Sequence, residues 1–258
     1  SLYIYSSAIP IESDRFEDFY DKENVLSRPE YLKNLSENHK IIGITGTHGK
    51  TSTTALLSHI FHFNNVNVSY LYGGITTFNG IGGHYGDPDQ PLILETDEAF
   101  NTFEKIKISD LLVLNVDSDH LDYFKNLDNY KDAFYKVMKN VTDNLVINND
   151  DLNIKSMKEL KNPVSYGKDI AADFKVQSPG TFIYENNKYE IKSDIIGDHF
   201  KANMLGAIIL ALLNGIEIKD SLNAIESFAG VKRRIELIGI SKGVLIYDDY
   251  GHHPTEME

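Results

Sequence analysis

Apolar positions along the chain fall into short clusters whose spacing alternates between two regimes. Residues 39–45 (HKIIGIT) form an apolar run of strand length, and a glycine-rich turn separates them from residues 52–63, where Ala55, Leu56, Ile60 and Phe63 recur at helical spacing. Further apolar runs at 92–95 (LILE), 110–116 (DLLVLNV) and 144–148 (NLVIN) predict strands, with a helical stretch at 127–140 between the last two. Strands separated by helices of this length require right-handed crossovers, so the predicted fold is α/β with a mostly parallel sheet flanked by helices. Residues 174–191 read instead as a hairpin, with Phe182, Tyr184, Tyr189 and Ile191 on either side of an Asn186-Asn187 turn, which predicts a small antiparallel β appendage. Helices at 199–214 and 219–228 and strands at 235–240 and 244–248 complete the reading, with no internal repeat.

The two ends are different in character. Residues 1–8 (SLYIYSSA) alternate as a strand that begins with no lead-in, and residues 12–38 are polar, with Tyr20, Leu26, Tyr31, Leu32 and Leu35 as scattered anchors, as in a linker running into a helix. The chain stops a few residues beyond 248–253 (DDYGHH), so both ends are expected to be cut from a longer protein.

Composition narrows the function classes. A chain of 258 residues with 41% hydrophobic content supports a sizeable core, and its longest apolar stretch, 207–213, falls well below the roughly 18 residues of a membrane span. No basic segment followed by an apolar one marks secretion, and the absence of cysteine fits the cytoplasm, which is the expected location. A formal net charge of -13 argues against nucleic acid as a partner, since that role needs surplus Lys and Arg to displace counterions. An anionic nucleotide can still bind where a local nest of amides, a lysine and a metal ion overcome the global field.

Residues 45–51 (TGTHGKT), between an apolar strand and an amphipathic helix, supply such a nest. Backbone amides of a glycine turn at a helix N-terminus form a concave anion site, the Lys50 ammonium reaches terminal phosphates, and the Thr51 hydroxyl can take a place on magnesium. Glycine is needed at 46 and 49 because a side chain there would hold phosphates off the backbone. Gly46, Thr47, His48, Gly49, Lys50, Thr51 and Ser52 are therefore the candidate nucleotide contacts. The standard phosphate-loop pattern wants a glycine where Ile44 stands, and the chain lacks the Asn-Lys-x-Asp base-reading motif of a GTPase. The shorter form Gly-Thr-X-Gly-Lys-Thr resembles that of the Mur ligases and their folylpolyglutamate synthetase relatives.

Other stretches carry the same resemblance in family order, from Tyr5 to Glu256. Residues 94–98 (LETDE) resemble the family's Glu-Ala-Asp-Glu-Ser-Asp, with Phe100 in place of the last Asp; the likeness implies that Glu95 ligates magnesium with Thr51, while Asp97 and Glu98 face the substrate. Residues 115–122 (NVDSDHLD) resemble the strand-end motif that would make His120 a ligand or polar contact of a second magnesium. Residues 197–203 (GDHFKAN) resemble Gly-x-His-Asn-x-x-Asn, whose last Asn, here Asn203, contacts adenine; Phe200 replaces the first. Residues 230–236 (GVKRRIE) resemble the segment that presents an arginine, here Arg234, to the phosphates, which its planar fork binds bidentately. Residues 248–256 (DDYGHHPTE) resemble the entry to the third domain, with Tyr250 and His252 toward nucleotide and substrate.

Within the family, residues 248–256 are most similar to the branch that joins L-alanine to UDP-N-acetylmuramate, and the tripeptide-recycling branch differs at Tyr250-Gly251. The resemblance implies residues 1–38 as the tail of a UDP-binding domain, 39–246 as the central ATP-binding domain and 247–258 as the start of a C-terminal domain. It further implies ATP and Mg2+ as cofactors, Lys50, Glu95 and His120 as catalytic groups, and a monomer or weak homodimer. The reaction expected is amide ligation through an acyl phosphate in peptidoglycan synthesis. No covalent enzyme intermediate is needed, in keeping with a chain that has neither cysteine nor a serine elbow. The 258-residue chain alone is expected to bind ATP-magnesium weakly and to ligate poorly. A non-catalytic nucleotide-binding module is the contrasting expectation, and loss of Glu95 or His120 would have favoured it.

Overall fold

A computed structural model describes residues 2–6, 9, 24–76, 80–98, 102–117, 124–157 and 159–251. Its elements begin with β1 (Tyr3–Tyr5), β2 (Val25–Ser27), α1 (Arg28–Asn38), β3 (Ile41–Thr45), α2 (Lys50–Phe63), β4 (Ser69–Leu71), β5 (Gly83–His84), β6 (Leu92–Glu95), α3 (Thr102–Lys105) and β7 (Asp110–Val113). They continue with α4 (Leu127–Lys139), β8 (Asn144–Asn148), α5 (Leu152–Ser156), β9 (Val164–Gly167), β10 (Phe174–Ser178), β11 (Thr181–Tyr184) and β12 (Asn187–Glu190). The last are α6 (Asp198–Leu213), α7 (Ile218–Ser227), β13 (Glu236–Ser241) and β14 (Val244–Asp248).

Among the described residues, ten strands form one sheet in the order β12-β11-β10-β9-β8-β7-β3-β6-β4-β5. From β10 to β4 the neighbours run parallel, and the antiparallel pairs lie at the two edges. The central strands read as unbroken apolar runs because both of their faces are covered. Ile42 and Ile44 of β3, Ile93 of β6 and Leu112 of β7 join the core under α2, α6 and α7, whereas Ile41, Leu92, Leu94, Leu111 and Val113 join the core under α1 and α4. The expected fold class, a mostly parallel sheet flanked by helices, is the observed one.

Local rules fix the helix ends. Ser27 and Glu30 form a reciprocal capping box at α1, with Pro in its first turn, and the Asn126 side chain accepts the Asn129 N–H to start α4. Helix α2 starts at Lys50, so the lysine sits in the first turn instead of the preceding loop, and its N-cap is Gly49, which has no side chain to cap the helix.

The segment at 174–191 departs from the expected hairpin. It contains three strands, of which β10 pairs parallel with β9 and thereby extends the main sheet. Aromatic contacts explain the extra strand: Phe174 stacks on Tyr184 at 4.1 Å and Phe182 on Tyr189 at 5.2 Å, so the three strands share one aromatic face. The β11–β12 turn is at Glu185 and Asn186, both left-handed, one residue earlier than expected. The antiparallel pair outside the main sheet is β13–β14. Among the described residues no helix is long and apolar enough to cross a membrane.

Candidate functional site

Strand β3 is flanked by β6 on one side and β7 on the other, so the chain reverses its winding direction there, and a crevice opens beyond the C-terminal ends of these three strands. The loop that follows β3 fills that crevice. Gly46 and Gly49 have φ of 141° and 85°, the region that favours glycine. A Cβ at Gly46 would press on the Asn115 backbone at 3.1 Å, and one at Gly49 would collide with the Asn203 carboxamide, so both glycines are also required by close approach.

Asn115 holds the loop from the end of β7. Its Nδ2 donates to the His48 carbonyl at 3.0 Å, and its Oδ1 accepts the His48 N–H at 2.8 Å. The Thr47 N–H donates to the Asn115 carbonyl at 3.1 Å, and the Asp117 N–H donates to Thr47 Oγ1 at 2.8 Å. The His48 ring lies 3.7 Å from an Asp117 oxygen. A loop tied at this many points keeps its shape before any ligand arrives, which lowers the ordering cost of binding.

Two acid–base contacts define the chemistry. The Thr51 hydroxyl donates to Glu95 Oε1 at 2.9 Å, and the other Glu95 oxygen accepts the Gly73 N–H at 2.7 Å. The Lys50 ammonium donates to the carbonyls of Gly46 at 2.6 Å and Thr47 at 3.1 Å, and it meets the Glu98 carboxylate at 3.1 and 3.0 Å. Glu98 is fully buried, and burial pushes its carboxyl above the ordinary carboxylate range although Lys50 pulls the other way. The family resemblance implies that Asp97 and Glu98 face the substrate; in the structure the Glu98 carboxylate is turned in against Lys50, and Asp97 is half-buried.

The pair of oxygens on Thr51 and Glu95 fits a magnesium ion. Magnesium binds oxygen at about 2.0–2.1 Å in an octahedron, whose neighbouring ligands are then about 2.9 Å apart, the separation seen between these two atoms. Among the described residues no group of three or more His, Asp or Glu side chains could hold a metal. One carboxylate and one hydroxyl suit an ion that completes its shell with phosphate oxygens and water.

The remaining expected residues lie around this centre. Asn203, in the second turn of α6, shares a shallow groove with Ser52 and Arg234. Arg234 and Arg233 stand over the Tyr250 ring, at 5.4 and 5.0 Å from its centroid, and the Tyr250 N–H donates to the Arg233 carbonyl. This segment is tied back to the centre, since Val231 bridges to Thr76 and the Lys232 N–H donates to the Ile75 carbonyl, two residues beyond Gly73. His199 lies in the N-terminal turn of α6, where burial lowers its pKa, and it lines a separate cavity of about 210 Å³ that contains none of the loop residues. His120, His252 and Phe100 fall outside the described residues.

Sequence reasoning missed Tyr130 of α4, whose buried hydroxyl lies 3.0 Å from Thr47 Oγ1 and donates to Glu98 Oε1 at 3.2 Å. It also gave Asn115 no role in holding the loop. No local signal marks Tyr130, which reads as one more apolar position on an amphipathic helix.

Comparisons with known proteins agree with the geometry. Residues 44–211 match the sequence model described as the Mur ligase middle domain. A UDP-N-acetylmuramate--L-alanine ligase of Clostridium botulinum is 36% identical over 272 residues, covering 99% of this chain and 59% of that protein. The ligase of the same name from Dictyoglomus turgidum is 34% identical, covering 100% and 58%. The crystal structure of a UDP-N-acetylmuramate-alanine ligase from Thermotoga maritima superimposes with a TM-score of 0.83 at 25% identity, over 99% of this chain and 61% of that one. A murein peptide ligase from Psychrobacter arcticus shares the fold, with a TM-score of 0.75 at 23% identity over 97% and 60%. The chain thus spans about three fifths of the length of these relatives.

Proposed function

The chain belongs to the Mur ligase family, and on that premise we propose that it is the ATP-binding core of a ligase that adds L-alanine to UDP-N-acetylmuramate in peptidoglycan synthesis. Residues 39–246 are its nucleotide domain, residues 1–38 the end of a domain for the UDP moiety, and residues 247–258 the opening of a third. The observation that carries the reading is the convergence of Lys50, Thr51 and Glu95 on one glycine-walled loop at the switch point of the sheet.

The chemistry follows from what these groups can hold. ATP lies with its phosphates on the amides of residues 46–51 and its base beside Asn203, and Arg234 closes on the phosphate oxygens from the groove it shares with Ser52. A carboxylate oxygen of UDP-N-acetylmuramate attacks the γ-phosphorus, the bond from that phosphorus to ADP breaks, and an acyl phosphate forms. The L-alanine amine then attacks the acyl carbon, loses a proton, and inorganic phosphate departs. Lys50 offsets charge on the transferring phosphoryl group, and the loop amides keep its oxygens in line. Magnesium on Thr51 and Glu95 would neutralise phosphate oxygens, with His120 as a contact for a second ion. Asp97 and His252 are the proposed substrate-side groups, and Tyr250 keeps the two arginines beside the nucleotide.

Two measurements test this. Calorimetry with ATP-magnesium tests the loop, and Lys50→Ala is expected to weaken binding by at least about tenfold through loss of a charge-assisted contact. Phosphate release in the presence of UDP-N-acetylmuramate, with alanine, glycine, serine or the murein tripeptide as acceptor, tests the reaction. Release that depends on alanine supports the reading; release that depends on the tripeptide assigns the chain to the recycling branch instead.

A further inference from the structure

Tyr130 belongs to no motif, yet it ends in the middle of the site. Its ring packs between Phe124 and Phe134, each 5.0 Å away, and is fully buried, so α4 holds it rigidly. Its hydroxyl has one proton, and a carboxylate can only accept, so that proton goes to Glu98. The Tyr130 oxygen also meets Thr47 Oγ1 at 3.0 Å, and the single Thr47 proton is shared between that oxygen and the Asp117 carbonyl at 3.2 Å. The result is a hydrogen-bonded set in which Tyr130 joins the Thr47 hydroxyl to the Glu98 carboxylate, which also receives the Lys50 ammonium. Thr47 and Lys50 both belong to the 45–51 segment and meet directly at the Thr47 carbonyl, and a second link, through Glu98, is supplied by a helix on the far side of the sheet.

We propose that Tyr130 is a positioning residue that, by fixing Glu98 against Thr47, holds the Lys50 ammonium at the mouth of the loop in the nucleotide-free protein. The ammonium contacts Gly46, Thr47 and Glu98, and its side chain is only 13% exposed. Phosphate oxygens entering the loop find the cation already aimed and exchange with the two carbonyls for its donors. Glu98 stays in place because Tyr130 holds it. The inference deepens the proposed nucleotide reading and rests on it for the binding step, while the lysine's placement can be measured without nucleotide.

The test is Tyr130→Phe, which keeps the ring and removes the link. The rate at which an amine-acylating reagent labels each lysine of the nucleotide-free protein is read by mass spectrometry, with Lys40, which pairs with the buried Asp110 at the other end of the sheet, as the internal reference. Labelling of Lys50 is expected to rise about three- to tenfold relative to Lys40, and the dissociation constant for ATP-magnesium to rise by a similar factor, as for loss of one hydrogen bond. The KM for ATP should rise by more than kcat falls, because the link acts on Lys50 before nucleotide is bound and Lys50 itself remains to meet the phosphoryl oxygens afterwards. General loosening would raise labelling at both lysines, and that result, or unchanged Lys50 labelling, overturns the proposal whatever nucleotide does. Selective exposure of Lys50 in a protein that binds no ATP-magnesium at all would uphold the placement and defeat the nucleotide reading instead.

Discussion

Gly49 gives the sharpest quantitative test, because two separable costs meet there. Gly49→Ala must hold φ at +85°, which costs an L side chain about 1–2 kcal/mol. Its new Cβ would also collide with the Asn203 carboxamide, which is buried and anchored in α6. Driving Asn203 off its rotamer adds about 0.5–1.5 kcal/mol, for a total of about 1.5–3.5 kcal/mol. Gly215 supplies the control, since it has φ of +90° after α6 and a Cβ there would meet nothing within 4 Å. Gly215→Ala should therefore show only the backbone cost. Urea unfolding of both variants measures the difference, and calorimetry measures ATP-magnesium binding, which Gly49→Ala should weaken by at least about tenfold and Gly215→Ala should leave alone. If Gly49→Ala were no less stable than Gly215→Ala and bound nucleotide normally, the close approach between loop and α6 would not exist in solution.

Thr51→Ala should weaken ATP binding about tenfold in the presence of magnesium and hardly at all in EDTA, by calorimetry; an equal loss in both would mean that the hydroxyl is not a metal ligand. At the opposite end of the sheet, Asp110 is fully buried and accepts from Asn144, Asn214 and Lys40. Asp110→Ala should cost about 2–4 kcal/mol in urea unfolding, mostly from the stranded asparagine donors, since Lys40 is partly exposed and its ion pair is screened. Burial lowers the pKa of His59, His62 and His199, so the unfolded chain binds more protons at these sites than the folded one. Their contribution to stability is full above the ordinary histidine value of 6.5 and is lost as pH falls through their lowered folded values, so unfolding free energy should decline from about pH 7 toward about pH 5. Glu98, whose pKa is raised, has the opposite sign: its contribution is full below the ordinary carboxylate value and is lost as pH rises through its higher folded value, and a series of urea titrations with and without His59→Asn would separate the two.

How much of this was legible depended on whether a residue's surroundings are written next to it. Strands β3, β6 and β7 were readable because burial on both faces demands unbroken apolar runs. Strands β4, β5 and β9 were not: Gly83–His84 has no apolar side chain, and Val164–Gly167 carries one serine and one glycine. The shape of the loop was readable because a turn between a buried strand and a helix that takes positive φ at 46 and 49 calls for glycine there, and the whole pattern lies in seven consecutive residues. The direction in which Glu98 points was not, because the spacing of 94–98 is equally consistent with a carboxylate facing out to substrate or in to Lys50, 48 residues away. Tyr130 lies 83 residues from Thr47, and only the sheet brings them together.

The same packing explains how a chain with net charge of -13 can accept a triphosphate. Lys50 is already matched by Glu98, so the loop is close to neutral before nucleotide enters, and a buried lysine is not left without a counter-charge. On the proposed reading the charge of ATP is then met by Lys50 together with further groups: the amides of residues 46–51, magnesium on Thr51 and Glu95, and Arg234 from across the groove. Amides carry partial charge without the desolvation penalty of an ion, and a metal that comes with the nucleotide adds its charge only when it is needed. A loop built with bare lysines would bind anions of every kind; one whose lysine is held by a buried carboxylate favours the ligand that brings magnesium with it.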